Sequence, residues 1–273
     1  MPELPEVETV CRDLRTGGVI GEKIIDVLVL WEKSIADLHP DQFRAGLVNN
    51  TIISVTRRGK YIHLVLHTGT SLLIHLRMTG SLTLRDIHQT NDLHDRVIIQ
   101  FTNYNLVFHD PRKFGRMILT NNPELWLDAL GPEPLHDDFT AAVLYERLHH
   151  RKARLKTLLL DQKFIAGIGN IYADETLFLA KIHPCRTGES LSKEEAFALH
   201  RAIQHTLRSA ITNRGTSLGT GDGNFTSKGE AGQHGRQLQV FRRTQTPCYI
   251  CQTPIEKIII NQRSTHFCPH CQK

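Results

Sequence analysis

The sequence has no long apolar run, few aromatics and little sulfur. Phe, Tyr and Trp make up 7% of its 273 residues, with only two Trp, and there are only three Met and six Cys. No stretch approaches the roughly 20 apolar residues that cross a bilayer, which excludes a helical membrane protein. Glu3, Glu6 and Glu8 stand where a secretory leader would carry positive charge. The chain is therefore read as soluble and cytoplasmic. With 40% hydrophobic and 22% charged residues and no internal repeat, a disordered or fibrous chain is excluded as well. There is no excess of acid: 33 Lys and Arg face 28 Asp and Glu, a net charge of +5, beside 16 His that gain charge on mild acidification. That balance favours an anionic partner.

The six cysteines are unevenly placed. Cys11 and Cys185 stand apart, whereas Cys248, Cys251, Cys268 and Cys271 form two CxxC pairs separated by 16 residues. This is the spacing of a four-thiolate zinc ribbon, in which each pair sets two thiolates on one face of the ion. A pair of redox dithiols is the competing reading, but such motifs come singly beside a βαβ pattern, which is absent. Four thiolates fill the tetrahedron, so one structural Zn2+ should hold a hairpin and not catalyse. No organic cofactor is indicated. Between the pairs, Lys257, Arg263 and His266 read as a solvated hairpin surface or as a basic finger laid on phosphate.

Val7, Val10, Cys11 and Leu14 recur at helical spacing over residues 5–15, with Pro5 suited to a first turn. From 23 to 120 the pattern shortens to seven strand-like pieces: KIIDVLVL, TIISVTR, KYIHLVL, SLLIHL, RVIIQF, NLVFHD and RMILT. Such pieces predict a β-sandwich. Beyond Gly131-Pro132-Glu133-Pro134 the periodicity turns helical, over 138–150, 153–161, 170–181 and 192–213. The seven glycines between 215 and 235 predict a mobile loop. The fold class is α+β. Its expected domains are an N-terminal helix and sandwich (1–133), a helical domain carrying the loop (134–236) and a zinc-ribbon hairpin (237–273).

Removal of Met1 ahead of the small Pro2 would leave a secondary amine at the N-terminus. An α-amino group titrates at roughly 7.7–8.0, so an appreciable part is neutral and nucleophilic near pH 7. Attack on an aldehyde-level carbon gives an iminium that stays charged without protonation, an electron sink for elimination. Glu3 and Glu6 lie beside it, and two carboxyls in one site can be driven apart in pKa to serve as acid and base. Arg57, Arg58 and Lys60 beside Gly59 make a phosphate-facing patch. Residues 165–175 read as a helix, a Gly-rich turn and a second helix capped by Asn170, a helix start that can hold an anion.

The opening Met1-Pro-Glu-Leu-Pro-Glu-Val-Glu-Thr-Val10 resembles the start of the bacterial formamidopyrimidine-DNA glycosylases, in the endonuclease VIII-like superfamily. The match continues in Arg57-Arg-Gly-Lys-Tyr61, His75-Leu-Arg-Met-Thr-Gly80, His109-Asp-Pro-Arg-Lys-Phe-Gly115 and Leu130-Gly-Pro-Glu-Pro-Leu135. It closes with Ile165-Ala-Gly-Ile-Gly-Asn-Ile-Tyr-Ala-Asp-Glu175 and Arg263-Ser-Thr-His-Phe-Cys-Pro-His-Cys-Gln272. By this resemblance the chain is a bifunctional glycosylase and AP lyase of base excision repair. It would excise oxidised purines and cut the strand by β,δ-elimination through a Schiff base on Pro2. Glu3 would assist sugar-ring opening, Lys60 the β-elimination and Arg263 the δ-elimination at phosphate. Met78 and Phe114 would wedge into the duplex once the base is extruded, and Arg112 would pair with the estranged cytosine. His94, Lys152, Lys156 and Asn170 would meet phosphate, the last three on a helix–two-turn–helix clamp. Judged by residue type, Met78 and Phe114 read as core. The implied partner is damaged double-stranded DNA, with no membrane, and the protein would act as a monomer at the nucleoid.

The chain departs from the family pattern at three places. Arg242 and Gln262 replace glycines, and Leu218-Gly-Thr-Gly-Asp-Gly-Asn-Phe225 differs where the flipped purine is contacted. Two other readings remain: a pyrimidine-lesion glycosylase of the endonuclease VIII type, and a non-catalytic zinc-ribbon DNA-binding protein.

Overall fold

The computed structural model describes residues 1–218 and 225–273, which form two compact units: Met1–Asp128 with Asn213–Gln233, and Ala129–Thr212 with His234–Lys273. In the first unit α1 (Leu4–Thr16) carries proline in its first turn, where the missing N–H costs nothing. There follow β1 (Asp26–Val29), α2 (Pro40–Leu47), β2 (Ile52–Arg58), β3 (Tyr61–Leu66), β4 (Ser71–His75) and β5 (Ser81–Asp86). Then come β6 (Asp95–Gln100), β7 (Tyr104–His109), β8 (Arg116–Thr120) and the short α3 (Glu124–Leu127). The strands build two antiparallel four-stranded sheets, ordered β1-β6-β7-β5 and β2-β3-β4-β8.

In β3 every second residue (Ile62, Leu64, Leu66) is buried, as the pleat requires of a strand packed on one face. These join Leu72, Ile74 and Met117 of their own sheet, Val97, Ile99, Leu106 and Phe108 of the other, and the apolar stripe of α1 in one core. The expected sandwich is the one observed, with an eighth strand that hydropathy does not mark. That strand, β5, is half polar: it turns only Leu82 and Leu84 toward the core, while Arg85 pairs with the buried Asp95 at 2.8 Å.

The glycine-rich segment 215–235 is divided between the two units. Its described residues up to Gln233 belong to the sandwich unit, and His234 and Gly235 to the helical one. Arg214 grips Asp13 of α1 through two N–H groups at 3.1 and 2.8 Å, and Phe225 packs against the sandwich core. β9 (Thr226–Ser227) and β10 (Glu230–Ala231) pair as a hairpin. The atypical stretch 219–224 lies outside the described residues.

The second unit contains α4 (Ala141–His149), α5 (Leu155–Leu160), α6 (Asn170–Leu179), α7 (Lys193–Thr212) and the hairpin of β11 (Glu256–Ile260) and β12 (Arg263–Phe267). α7 is amphipathic, burying Leu199, Ala202, Ile203, Thr206, Leu207 and Ala210 at spacings of three and four. α6 differs, being buried all round from Ile171 to Phe178. Its acids Asp174 and Glu175 must therefore find partners inside the protein. No helix among the described residues is long and apolar enough to cross a membrane.

Cys11, inside α1, donates its S–H to the Thr56 carbonyl at 3.3 Å, and burial, with Glu8 adding, pushes the thiol up to about 12. Only the thiolate is alkylated, so iodoacetamide at pH 8 should leave Cys11 unmodified in the native protein and label it after unfolding. Peptide masses report the difference. Equal labelling in both states would mean that α1 is not packed as described.

Candidate active site and nucleic-acid interface

Pro2, Glu3 and Glu6 are all buried at the start of α1. Glu6 is 1% exposed and divides its carboxylate between two N–H groups. Oε2 accepts from Glu3 at 2.8 Å and Oε1 from Thr216 at 2.7 Å. The first bond is the return arm of a capping box, and the second ties the helix start to the segment 213–233. Gly215 has φ +78°, and a Cβ there would lie 2.7 Å from Glu6 Oε1, so the approach depends on glycine. Glu3 carries its carboxyl at the positive end of the helix dipole, next in sequence to Pro2.

Lys60 is buried in the turn between β2 and β3, after Gly59 at φ +57°. Arg57 joins this turn to α1, donating to Glu8 at 3.3 Å and to the Gly59 carbonyl at 3.1 Å. Arg57 therefore does not join the phosphate-facing patch expected of it: Glu8 on α1, once packed against β2, draws that guanidinium inward. Beside Lys60, burial and then the charges of Arg77 and Lys60 push the His75 imidazole down to about 3. His75 is neutral, and its Nδ1 accepts the Arg77 N–H at 3.0 Å.

At another edge of the sandwich, Met78 lies between β4 and β5, and Arg112 and Phe114 between β7 and β8. Residue type reads the two apolar side chains as core, but Met78 is 39% and Phe114 47% exposed. The Arg112 guanidinium lies over the Phe114 ring at 4.9 Å. Arg77 and Lys113, beside these residues, hold left-handed backbone at φ 54° and 62°. His94, half-buried before β6, has Nδ1 3.2 Å from an Arg96 N–H nitrogen.

In the second unit three expectations change. Gly169 caps α6, and Asn170 is its first residue, donating Nδ2 to the Ser264 carbonyl of β12 at 3.0 Å. Lys152 sits in an exposed turn before α5, with Arg151 and Arg154, and not on the helix. Lys156 is fully buried and not on the exposed surface expected of a phosphate contact. Its ammonium meets Asp174 Oδ1 at 2.6 Å and the Asn170 carbonyl at 2.9 Å. The reason is α6 itself: a carboxylate within an apolar helix needs a charge beside it.

The same helix holds the ribbon. Asp174 Oδ2 accepts from the backbone N–H of His266 at 2.9 Å and lies 3.1 Å from its Nδ1. Glu175 accepts the N–H groups of Gln239, Val240 and Phe241 at 2.7, 3.0 and 2.8 Å. Burial pushes the Glu175 carboxyl above its ordinary range despite those three donors. Sequence reasoning gave these acids no role, although two adjacent acids in an otherwise apolar helix are a readable signal. Arg263 is exposed at the head of β12. It follows Asn261 and Gln262, at φ 46° and 61°, in a two-residue turn between paired Ile260 and Arg263. Arg242, the other replaced glycine, also has φ 61°. Both departures keep the backbone a glycine would favour.

The four ribbon cysteines bring their sulfurs within 4.8 Å of one another, with Cys251 and Cys268 at 3.4 Å and Cys248 and Cys271 at 4.0 Å. Zn–S bonds of about 2.3 Å make the edge of a tetrahedron about 3.8 Å, so the set fits the ion. The N–H groups of Ile250 and Cys271 point to Cys248 and Cys268 sulfurs at 3.4 Å each, the outer bonds of two knuckles. The ribbon carries one structural zinc.

A helix-first sandwich, a helical unit with a Gly-rich turn and a four-cysteine ribbon together define a DNA glycosylase architecture. Three family models match: the formamidopyrimidine-DNA glycosylase N-terminal domain over 1–117, its H2TH domain over 130–221, and the zinc finger found in FPG and IleRS over 246–273. The chain belongs to the formamidopyrimidine-DNA glycosylase family. It is 42% identical over 275 residues to the formamidopyrimidine-DNA glycosylase of Protochlamydia amoebophila, covering all of both chains. To that of Chloroflexus aurantiacus it is 44% identical over 276 residues, covering all of this chain and 98% of the other. Lactococcus lactis Fpg in complex with abasic-site DNA superposes with a TM-score of 0.92 at 36% identity and 99% coverage of each chain. The same protein with a Fapy-dG DNA gives 0.91 at 35% identity, covering 99% of this chain and 100% of the other. The chain is thus a DNA glycosylase of base excision repair, and the reading as a non-catalytic ribbon protein falls away.

Two outcomes follow from the second unit. Lys156→Ala leaves Asp174 as a buried uncompensated charge, so denaturant unfolding should register a loss of about 3–5 kcal/mol. The salt slope of DNA binding should stay unchanged, whereas Lys152→Ala should lower it by about one. A shallower slope for a stably folded Lys156→Ala would return that lysine to the phosphate set. Chelation of zinc, or Cys251→Ser, should unfold the ribbon and weaken DNA binding while the sandwich stays folded. Full affinity in the zinc-free protein would remove that role.

Proposed function

We propose that this chain excises oxidised purines from duplex DNA and cuts the strand through a covalent intermediate on Pro2. The observation that carries the reading is the buried start of α1, where Pro2 and Glu3 are held in place by Glu6. With Met1 removed, the Pro2 nitrogen attacks C1′ of the damaged nucleotide and forms a C–N bond. The base leaves with the electrons of its glycosidic bond, and the ring oxygen opens to a hydroxyl by taking the Glu3 proton. The resulting iminium acidifies C2′, whose proton passes toward Lys60 as the 3′-phosphate departs. Loss of the C4′ proton then expels the 5′-phosphate, with Arg263 stabilising the charge on phosphate. Water releases the sugar remnant from Pro2.

The partner is damaged double-stranded DNA, the kind of ligand named in the Lactococcus lactis complexes. Met78 and Phe114 fill the space left by the extruded base, and Arg112 donates to the orphan cytosine. Their exposure on turns, with a cation stacked on the aromatic ring, supports this role better than a place in the core does. Lys152 meets phosphate with Arg151 and Arg154 around it, and His94 and Asn170 line the backbone of the strand. The sandwich serves as the catalytic domain and the helices and ribbon as the DNA-binding part. The work is done in the cytoplasm, at the nucleoid.

Borohydride should cross-link the protein to an 8-oxoguanine duplex, with the added mass on the N-terminal peptide, and retention of Met1 should abolish the cross-link. Attachment at Lys60 with Pro2 unmodified would overturn the assignment.

A further inference from the structure

Three stretches of the first unit carry side chains assigned above to DNA: Met78 between β4 and β5, His94 before β6, and Arg112 with Phe114 between β7 and β8. All three close on one residue, Asp110, which is fully buried. Its Oδ1 accepts the Thr79 hydroxyl and, at 3.2 Å, the Arg112 N–H, while Oδ2 accepts the Gly115 N–H at 2.7 Å. The Thr79 hydroxyl oxygen also lies 3.3 Å from the Arg112 nitrogen. The Asp110 N–H donates to the His94 carbonyl at 2.9 Å, and its own carbonyl accepts from Arg96 Nε at 2.8 Å. A Cβ on Gly115 would lie 2.3 Å from Phe108 and 3.2 Å from Asp110 Oδ2, so the chain can pass this close only as glycine.

Both turns need such a hold. Arg77 and Lys113 sit in left-handed backbone at φ 54° and 62°, a conformation that persists in side-chain-bearing residues where the surroundings over-determine it. A buried carboxylate is the strongest neutral-donor acceptor available for that purpose. A side-chain bond joins the two turns, from Thr79, next to Met78, to Asp110, two residues before Arg112.

We propose that Asp110, through Thr79, is a positioning residue that fixes Met78 and Arg112 at one separation, so that wedge and base-reading guanidinium enter the duplex as a rigid pair. Neither Thr79 nor Asp110 needs to touch DNA. Their link sets how sharply the enzyme discriminates the base opposite the lesion. This rests on the assignment of Met78 and Arg112 under the proposed function.

The experiment compares Thr79→Val, which keeps volume and loses the hydroxyl, with Thr79→Ser, which keeps the hydroxyl, and with Arg112→Ala. Single-turnover excision of 8-oxoguanine is measured opposite cytosine and opposite adenine, beside borohydride trapping on an abasic duplex. Thr79→Val should lower the cytosine-to-adenine rate ratio by about fivefold, a fraction of what one good base contact supplies, and Thr79→Ser should restore it. Trapping at saturating protein should hold in both. A packing role would slow both duplexes together and leave the ratio fixed, and that result overturns the proposal. So does a ratio lost equally in Thr79→Val and Thr79→Ser. If Arg112→Ala loses the ratio and Thr79→Val keeps it, the link fails while the reading of Arg112 stands. If Arg112→Ala keeps it, the reading of Arg112 fails and takes this proposal with it.

Discussion

A carboxylate taken out of water must recover its hydrogen bonds from the protein, because the charge cannot otherwise remain inside. In this chain that requirement falls on Glu6, Asp110, Asp174 and Glu175, all nearly free of solvent. Glu6, Asp110 and Glu175 meet it largely with backbone N–H groups of irregular segments, and Asp174 with the Lys156 ammonium and His266 of β12. Glu6 takes Thr216, Asp110 takes Arg112 and Gly115, Asp174 takes His266, and Glu175 takes three successive residues from Gln239. Sheets and helices satisfy their own backbone; loops do not. The buried acids thus serve as the ladder for the segments that lack one.

The division matters for an enzyme whose working side chains stand on turns. A loop held by apolar contact can slide, since packing is weakly directional. A loop whose N–H groups converge on a carboxyl oxygen has fixed direction as well as distance. The arrangement also couples remote parts of the chain, as Glu6 and Thr216 are 210 residues apart. Any substitution that removes one acid leaves several donors unsatisfied at once, which costs more than the loss of one hydrogen bond.

Much of this was legible in the chain. Helical spacing marks α1 and α4 to α7, alternation marks seven of the eight sandwich strands, and the CxxC spacing marks the ribbon. β5 escaped because its outer face carries Thr83 and Arg85, which dilute the hydropathy of Leu82 and Leu84. The misread cations have one physical source. A lysine or arginine read in sequence is taken for a surface charge, yet Lys156 and Arg57 point inward to acids that only the fold brings near. Met78 and Phe114 mislead in the opposite sense, being apolar and outside, and residue type says nothing of which face a turn presents. Asn170 is placed one residue too early because Gly169 supplies the extended backbone that a cap needs.

The corner between β11 and β12 carries one further implication, for what holds Arg263 in place. Two-residue hairpin turns with left-handed backbone at both positions favour glycine at the second. With Asn261 and Gln262 there, the local sequence gives little impulse toward the turn. It must be imposed from outside, by the metal gripping the far ends of the strands and by α6 holding His266. Arg263 at that corner therefore takes its place from the cysteine cluster and from α6 more than from the two residues that precede it.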